Sequence, residues 1–343
     1  MSTSTPHPVD WQRLEPRRIC VLRALQLGDL ICAGPALRAL RRRFPHAHIT
    51  LVGLRWSADF VQRMHPFIDE HVEFPGWPGL PECPVDDAAR AAFLQRMRDS
   101  EFDLAIQLQG SGRLSNDVVR AFGARRIAAH HPQKRIMLSA TEGLWPYPEQ
   151  LHEIHRNLHL IGRLGAIHDD DRVTFPLMQR DQTELLQRRL DLHRLPPGGY
   201  VCLHPGARDA AKRWPVACFA AIGDALASCG WVVVITGSET EQDLAARVIS
   251  AMHHRALHAA CDISIGALSV LLSRARLLIS NDTGVAHIAA ALGLPSVVVF
   301  FATDPCRWGP LDCRHHAVIQ ADGPPPVRAV LNAALHLLPH RTG

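Results

Sequence analysis

Asn281-Asp282-Thr283-Gly284-Val285-Ala286-His287 follows the apolar run Ala275 to Ser280 and opens the alanine-rich run Ile288 to Leu292, so a strand feeds a helix through a short polar turn. A helix leaves its first backbone N–H groups without intrahelical partners, at the positive end of its dipole, and that combination attracts phosphate. Asp282 and Thr283 are favoured N-cap types, and Gly284 removes the Cβ that would keep a ligand at a distance. Gly293 stops the helix, Pro295 prevents its continuation, and Ser296 to Phe301 reads as the next buried parallel strand. The unit is strand, anion turn, helix, strand. The same residues also suit an ordinary capped crossover with no ligand.

Outward from this unit the same alternation repeats. Arg18 to Leu25 reads as a strand, Gln26 to Asp29 as a turn and Leu30 to Phe44 as a helix. A strand (His48 to Leu54), helices (Ser57 to Met64 and Asp86 to Asp99), a strand (Phe102 to Leu108) and a helix (Leu114 to Phe122) follow. Ala129 to Glu149, rich in His, Pro and Trp, lacks a period and reads as loop. After a helix at Leu151 to Leu164 comes a polar linker, Asp169 to Pro176. The alternation restarts with a helix (Gln179 to His193), strand (Tyr200 to Leu203), helix (Val216 to Cys229), strand (Trp231 to Thr236) and helix (Glu241 to His253). It ends in an amphipathic helix near Pro326 to Leu338.

Strands alternating with helices of this length mean parallel sheets covered on both faces. The expected fold is α/β, with two Rossmann-like domains facing a cleft: residues 18–175 and 176–325, after a disordered leader at 1–17. Ligands in such sheets bind beyond the carboxyl ends of the strands. No G-x-G-x-x-G follows the first strand, which argues against a conventional dinucleotide dehydrogenase.

A chain of 343 residues exceeds one typical core. Net charge of +4 is too small to indicate nucleic acid, but it is compatible with an anionic substrate or membrane surface. Nine scattered cysteines suggest reduced thiols in a cytoplasmic protein rather than a disulfide scaffold. Cys306 and Cys313 with His315 and His316 do not have a usual zinc spacing, so no metal and no cofactor is expected. The N-terminus lacks the apolar core of a signal peptide, and no segment is long and apolar enough to span a bilayer. A soluble protein, or one peripheral on the cytoplasmic face of the inner membrane, is expected.

Three loops after strands carry candidate chemistry. Asp29, beside Gly28, either caps the first helix or serves as a general base, since an acceptor hydroxyl must lose its proton as a new bond forms. Lys212 lies in His204 to Pro215; only two of the 37 basic side chains are lysines, the other being Lys134. It is either a solvated surface residue or a compact ammonium kept to meet a diphosphate. The third loop is the opening turn, where His287 either packs or donates to the same phosphates as Thr283 and Gly284.

Gly28-Asp29 followed by Pro35 to Leu40, then His204-Pro-Gly206, Lys212-Arg-Trp-Pro215, Asp282-Thr-Gly284 with His287, and Thr303-Asp-Pro305 to Gly309-Pro310 resemble glycosyltransferase family nine, the heptosyltransferases of lipopolysaccharide core assembly. The resemblance implies the B-type glycosyltransferase fold. The acceptor would lie on the first domain, the nucleotide sugar on the second, and the last segment, 326–343, would pack back on the first.

It also implies an inverting, metal-independent transfer of heptose from ADP-heptose to an anionic glycolipid. Asp29 would be the base, and Lys212 would neutralise the leaving diphosphate. Thr283 and Gly284 would hold phosphates, while Asp282 and His287 order that turn or the donor sugar. Glu239, or equally Glu241, would hold the ribose, and the backbone near Ile263 the adenine edge. Ala207 to Ala211 lacks the hydroxyls that family members often aim at the phosphates, with Arg208 as the substitute. Arg55, Arg63, Arg113, Lys134 and Arg135 are acceptor-side candidates, unless they are simply solvated. A transferase with another nucleotide sugar or acceptor, or a nucleotide-sugar epimerase on the same architecture, is the alternative.

Overall fold

The computed structural model describes residues 9–338 and divides into two units, Met1–Arg172 and Val173–Gly343. The first contains β1 (Arg18–Leu22), α1 (Leu27–Arg43), β2 (His48–Gly53), α2 (Ser57–Arg63), β3 (Glu70–Glu73), α3 (Asp87–Asp99), β4 (Leu104–Gln107), α4 (Ser115–Ala121), β5 (Ile127–His131), β6 (Met137–Leu138), β7 (Glu142–Pro146) and α5 (Glu153–Gly162). Its sheet runs β3-β2-β1-β4-β5-β7-β6, parallel except where β6 returns antiparallel along β7. Ile19, Cys20, Val21 and Leu22 of β1 are all fully buried, as a strand covered on both faces requires.

Two expectations for this unit are corrected. Residues 129–149, read as loop, contain the end of β5, all of β6 and all of β7. β5 is Ile-Ala-Ala-His-His with every residue buried, so its histidines gave it a polar look that the fold hides. The disordered leader is also wrong where it can be judged. Residues 1–8 lie outside those described, but Trp11 is buried edge-on against Trp145 at 5.7 Å, and Arg43 donates to the carbonyls of Gln12 (2.8 Å) and Leu14 (2.9 Å).

The second unit contains α6 (Gln179–Arg188), α7 (Leu190–His193), β8 (Tyr200–His204), α8 (Val216–Ser228), β9 (Val232–Gly237), α9 (Gln242–Ala251), β10 (Ala256–Ala260), α10 (Ile265–Ser273), β11 (Leu277–Asn281), α11 (Gly284–Leu292), β12 (Ser296–Phe300), α12 (Pro305–Trp308), β13 (His316–Gln320) and α13 (Val327–Leu337). Its sheet is wholly parallel in the order β10-β9-β8-β11-β12-β13. That is the doubly wound nucleotide-binding order, with its topological reversal between β8 and β11. The corresponding reversal in the first unit lies between β1 and β4.

The final helix was expected on the first domain. It instead buries Val330 and Ala334 in the core of the second unit, with Phe219 and Ile222 of α8 and Val297 and Val299 of β12. Burying a side chain the size of valine is worth about 1.5–3 kcal/mol, and this apolar stripe finds its partners on its own sheet. Trp214 reinforces the arrangement by donating its indole N–H to Pro325 O at 2.9 Å.

Candidate active site

The carboxyl ends of β8 and β11 are sewn together by one side chain that the sequence reading missed. Asn281, buried at the end of β11, accepts the Trp214 N–H at Oδ1 (2.9 Å) and donates through Nδ2 to Pro205 O (2.8 Å) and Gly206 O (3.3 Å). An amide has both donors and an acceptor, so it can hold both sides of a loop at once. This fixes the 205–214 loop against the start of α11. Its only sequence signal was its place at the strand's end.

Within that loop Asp209 caps a short 3₁₀ turn, Ala210–Lys212, accepting the Ala211 N–H at 2.9 Å. The turn places Lys212 Nζ 2.7 Å from Asp282 Oδ2, and the same oxygen accepts Thr303 Oγ1–H at 2.6 Å. Asp282 is almost wholly buried, while Lys212 keeps 27% of its side chain exposed. An ammonium has three donors, and one of them goes to Asp282.

Thr283 is the N-cap of α11, with an extended backbone and no capping bond from its side chain. The helix's leading N–H groups therefore lack a side-chain cap from Thr283, in the same turn where Asp282 holds the ammonium. Such an arrangement can bind a diphosphate through a point charge and a dipole together.

His287 is half-buried three residues into α11, with its ring edge-on to Trp308 at 6.4 Å. Glu239 is exposed, whereas Glu241 is half-buried and accepts both the N–H and the hydroxyl of Ser238 at 2.9 Å each. A Cβ at Gly206 would collide with the Glu241 carboxylate, so that carboxylate lies directly against the loop after β8. Ile263 follows β10 and donates its N–H to Cys261 O (2.8 Å), which leaves the carbonyl as its backbone group for a ligand. Arg208 is exposed.

His204, at the end of β8, is buried against Thr236 Oγ1 (3.0 Å), and burial lowers its pKa, keeping it neutral. Cys306 and Cys313 are exposed, His315 pairs with Asp312 (2.7 Å), and His316 lies 2.8 Å from Ser296 Oγ. Among the described residues no group of three or more His, Cys, Asp or Glu is arranged to hold a metal ion.

In the first unit Asp29 is the third residue of α1, where the expected turn has already become helix. Its Oδ2 accepts the Gln26 N–H at 3.2 Å, so it does cap the helix, yet 20% of the side chain stays exposed. The residue beneath it is Arg23, which sequence reasoning passed over. The buried Arg23 guanidinium donates to Asp29 O (2.9 Å through Nη2), approaches Asp29 Oδ1 at 3.7 Å and pairs with Glu153 at 3.0 Å. Glu153 is shared with Arg156 at 3.1 Å. A buried charge is tolerated only when paired and hydrogen-bonded, and this network gives Arg23 both.

Arg55, Arg113, Lys134 and Arg135 are exposed in the loops after β2, β4 and β5, at the same carboxyl edge of the sheet as Asp29. Arg63 is different. Its side chain is buried and held by Asp59 at 2.6 Å, four residues earlier on α2, so the acceptor role expected for it is withdrawn.

The model of glycosyltransferase family 9 (heptosyltransferase) matches residues 90–332. The chain belongs to that family. A lipopolysaccharide heptosyltransferase 3 of Escherichia coli is 26% identical over 294 residues, covering 82% of this chain and 83% of the relative. A family 9 glycosyl transferase from Veillonella parvula superposes with a TM-score of 0.79 at 21% identity, over 95% of this chain and 98% of the other. The E. coli heptosyltransferase WaaC with ADP superposes with a TM-score of 0.70 at 20% identity, over 94% and 100%. The family 9 chain is thus a glycosyltransferase, with the two-Rossmann architecture expected of it.

Proposed function

We propose that this family 9 enzyme moves a heptosyl group from ADP-heptose to an anionic inner-core glycolipid of lipopolysaccharide, with inversion and without a metal. The observation that carries the reading is the Lys212–Asp282 pair at the start of α11, whose N-cap Thr283 makes no capping bond from its side chain, at the reversal point of a nucleotide-type sheet. The relatives' names supply the sugar.

In the reaction the acceptor hydroxyl gives its proton to the Asp29 carboxylate while its oxygen attacks the anomeric carbon opposite the leaving group. The bond from that carbon to the diphosphate oxygen breaks, and its electron pair leaves on ADP. Lys212 and the α11 amides neutralise that charge, the work that a divalent ion does elsewhere. Thr283 and Gly284 line the phosphates, with Arg208 from the facing loop in place of the family's hydroxyls. Asp282 orients the ammonium, and His287 buttresses the helix. Between the two ribose candidates, Glu241 is favoured because it lies against Gly206, while Glu239 points to solvent. The Ile263 carbonyl suits the adenine amino group. Arg55, Arg113, Lys134 and Arg135 meet the acceptor's anionic groups.

No helix of the described chain is long and apolar enough to cross a membrane. A peripheral site of action at the cytoplasmic face of the inner membrane fits a lipid-borne acceptor. The test is a panel of nucleotide sugars with a deacylated inner-core acceptor, read by product mass, product anomeric configuration and insensitivity to chelator. A donor other than ADP-heptose, or conversion of the donor with no acceptor present, would replace this reading.

A further inference from the structure

Exposed large apolar side chains among the described residues occur singly along the chain, with one exception. Ile136, Met137 and Leu138 are consecutive and 53%, 40% and 47% exposed. Single exposed apolar residues need no explanation, but a run of three does. These three begin at the outer edge of the first unit's sheet, where β6 forms the last strand. Lys134 and Arg135 come immediately before them, both exposed and without an ion pair among the described residues. One of the chain's two lysines therefore sits beside the longest exposed apolar run among the described residues.

The topology sets this segment in a definite place. β5 ends at His131 on the carboxyl edge of the sheet, the chain crosses residues 132–136 there, and β6 then turns back along β7. Lys134 to Ile136 thus share an edge with Asp29 after β1, Arg55 after β2, and Arg113 with the exposed Leu114 after β4. The far end of the hairpin is closed by the Ser139 N–H donating to Glu142 O at 2.8 Å, so β6 is held in register while its side chains stay out.

We infer that residues 134–138 are a membrane-docking edge, with Ile136, Met137 and Leu138 entering the headgroup boundary of a bilayer and Lys134 and Arg135 meeting anionic headgroups. Apolar side chains flanked by cations bind such an interface through area and charge together. A second copy of the chain is the weaker occupant. β6 offers only two residues for strand pairing, and the adjacent cations attract an anionic surface and repel a like-charged copy. The inference rests on the acceptor being lipid-borne, and it accounts for how the carboxyl edge bearing Asp29 is presented to that acceptor.

The experiment is co-sedimentation of the full chain with phosphatidylcholine vesicles, with and without about one-third phosphatidylglycerol. The chain is expected on the anionic vesicles and to leave them as salt rises. Ile136→Ser/Met137→Ser/Leu138→Ser should lower binding about tenfold, with ADP affinity and turnover on a deacylated, soluble acceptor unchanged. Lys134→Glu/Arg135→Glu should lose binding to the anionic vesicles. Wild-type chain left in the supernatant, or a triple-serine variant that binds undiminished, overturns the inference. So does a dimer that the triple variant abolishes. Vesicle binding that passes these tests in a chain that does not turn over ADP-heptose upholds the docking edge and sinks the proposed function alone.

Discussion

Lys212 and Asp282, which come from different strand-following loops of the second unit, meet at 2.7 Å on an oxygen that also accepts the hydroxyl of Thr303. Removing the amine takes away the proposed counter-charge for the leaving diphosphate. Lys212→Ala should lower turnover about 10²–10³-fold, as loss of one preorganised donor does, and weaken ADP binding. Asp282→Asn should cost less, because the amide oxygen still accepts from Thr303. In the double variant the two losses should not add, since the residues act as a unit. Steady-state kinetics and calorimetry on the three variants decide it, and unchanged kinetics in Lys212→Ala would remove that residue from the site.

The two glutamates after β9 are separated by the same kind of measurement. Glu241→Gln should raise the ADP dissociation constant by about tenfold or more, the worth of a hydrogen bond to a charged group. Glu239→Gln should leave it within twofold. Gly206→Ala, whose Cβ runs into the Glu241 carboxylate, should weaken ADP to a similar degree. Equal effects from the two Glu→Gln variants would show that neither is specifically placed.

Arg23 is a stability prediction with a functional edge. Arg23→Met strands the buried Glu153 and Asp29 side of the network and should cost about 3–5 kcal/mol in denaturant unfolding. Arg23→Lys keeps the charge but not the forked geometry, and should fall between. A loss below about 1 kcal/mol would mean that Arg156 alone satisfies Glu153.

Two buried histidines make stability depend on pH. Burial, aided by the neighbouring His159, pushes His130 down to about 3, and burial pushes His316 down to about 4. In each case the unfolded chain, near 6.5, binds the proton more readily than the folded one. Their contribution is therefore fully present above pH 6.5 and is lost as pH falls toward 4, by up to about 1.4 kcal/mol per unit for each group. Thermal unfolding between pH 7 and 4 should fall steeply for the wild type and less steeply for His316→Gln. Parallel slopes would contradict this origin.

The architecture was readable because it depends on periodicity. Alternating strand and helix patterns gave the central strands of both sheets and the turn at 282–284 showed where α11 begins, but the short edge strands β3, β10 and β13 passed unread. What escaped the sequence was tertiary in origin. β5 hides two histidines in a wholly buried strand, so its letters look like loop. Arg63 looks like a surface cation until α2 folds it onto Asp59. Asn281 and Arg23 hold their sites together through partners that no spacing reveals, and α13 chooses its own sheet by where its apolar stripe finds Phe219 and Val297. Of the two readings of Asp29, the structure shows the cap of α1, and the carboxylate stays partly exposed.

The most direct test of the central claim uses Asp29→Asn, which keeps the shape of the cap and removes the proposed base. ADP binding and heptosyl turnover should be measured on one preparation. Turnover should fall by about 10²–10⁴-fold, the usual share of a general base, with ADP affinity within twofold of wild type. Turnover that survives, or affinity and turnover that fall together, would contradict it.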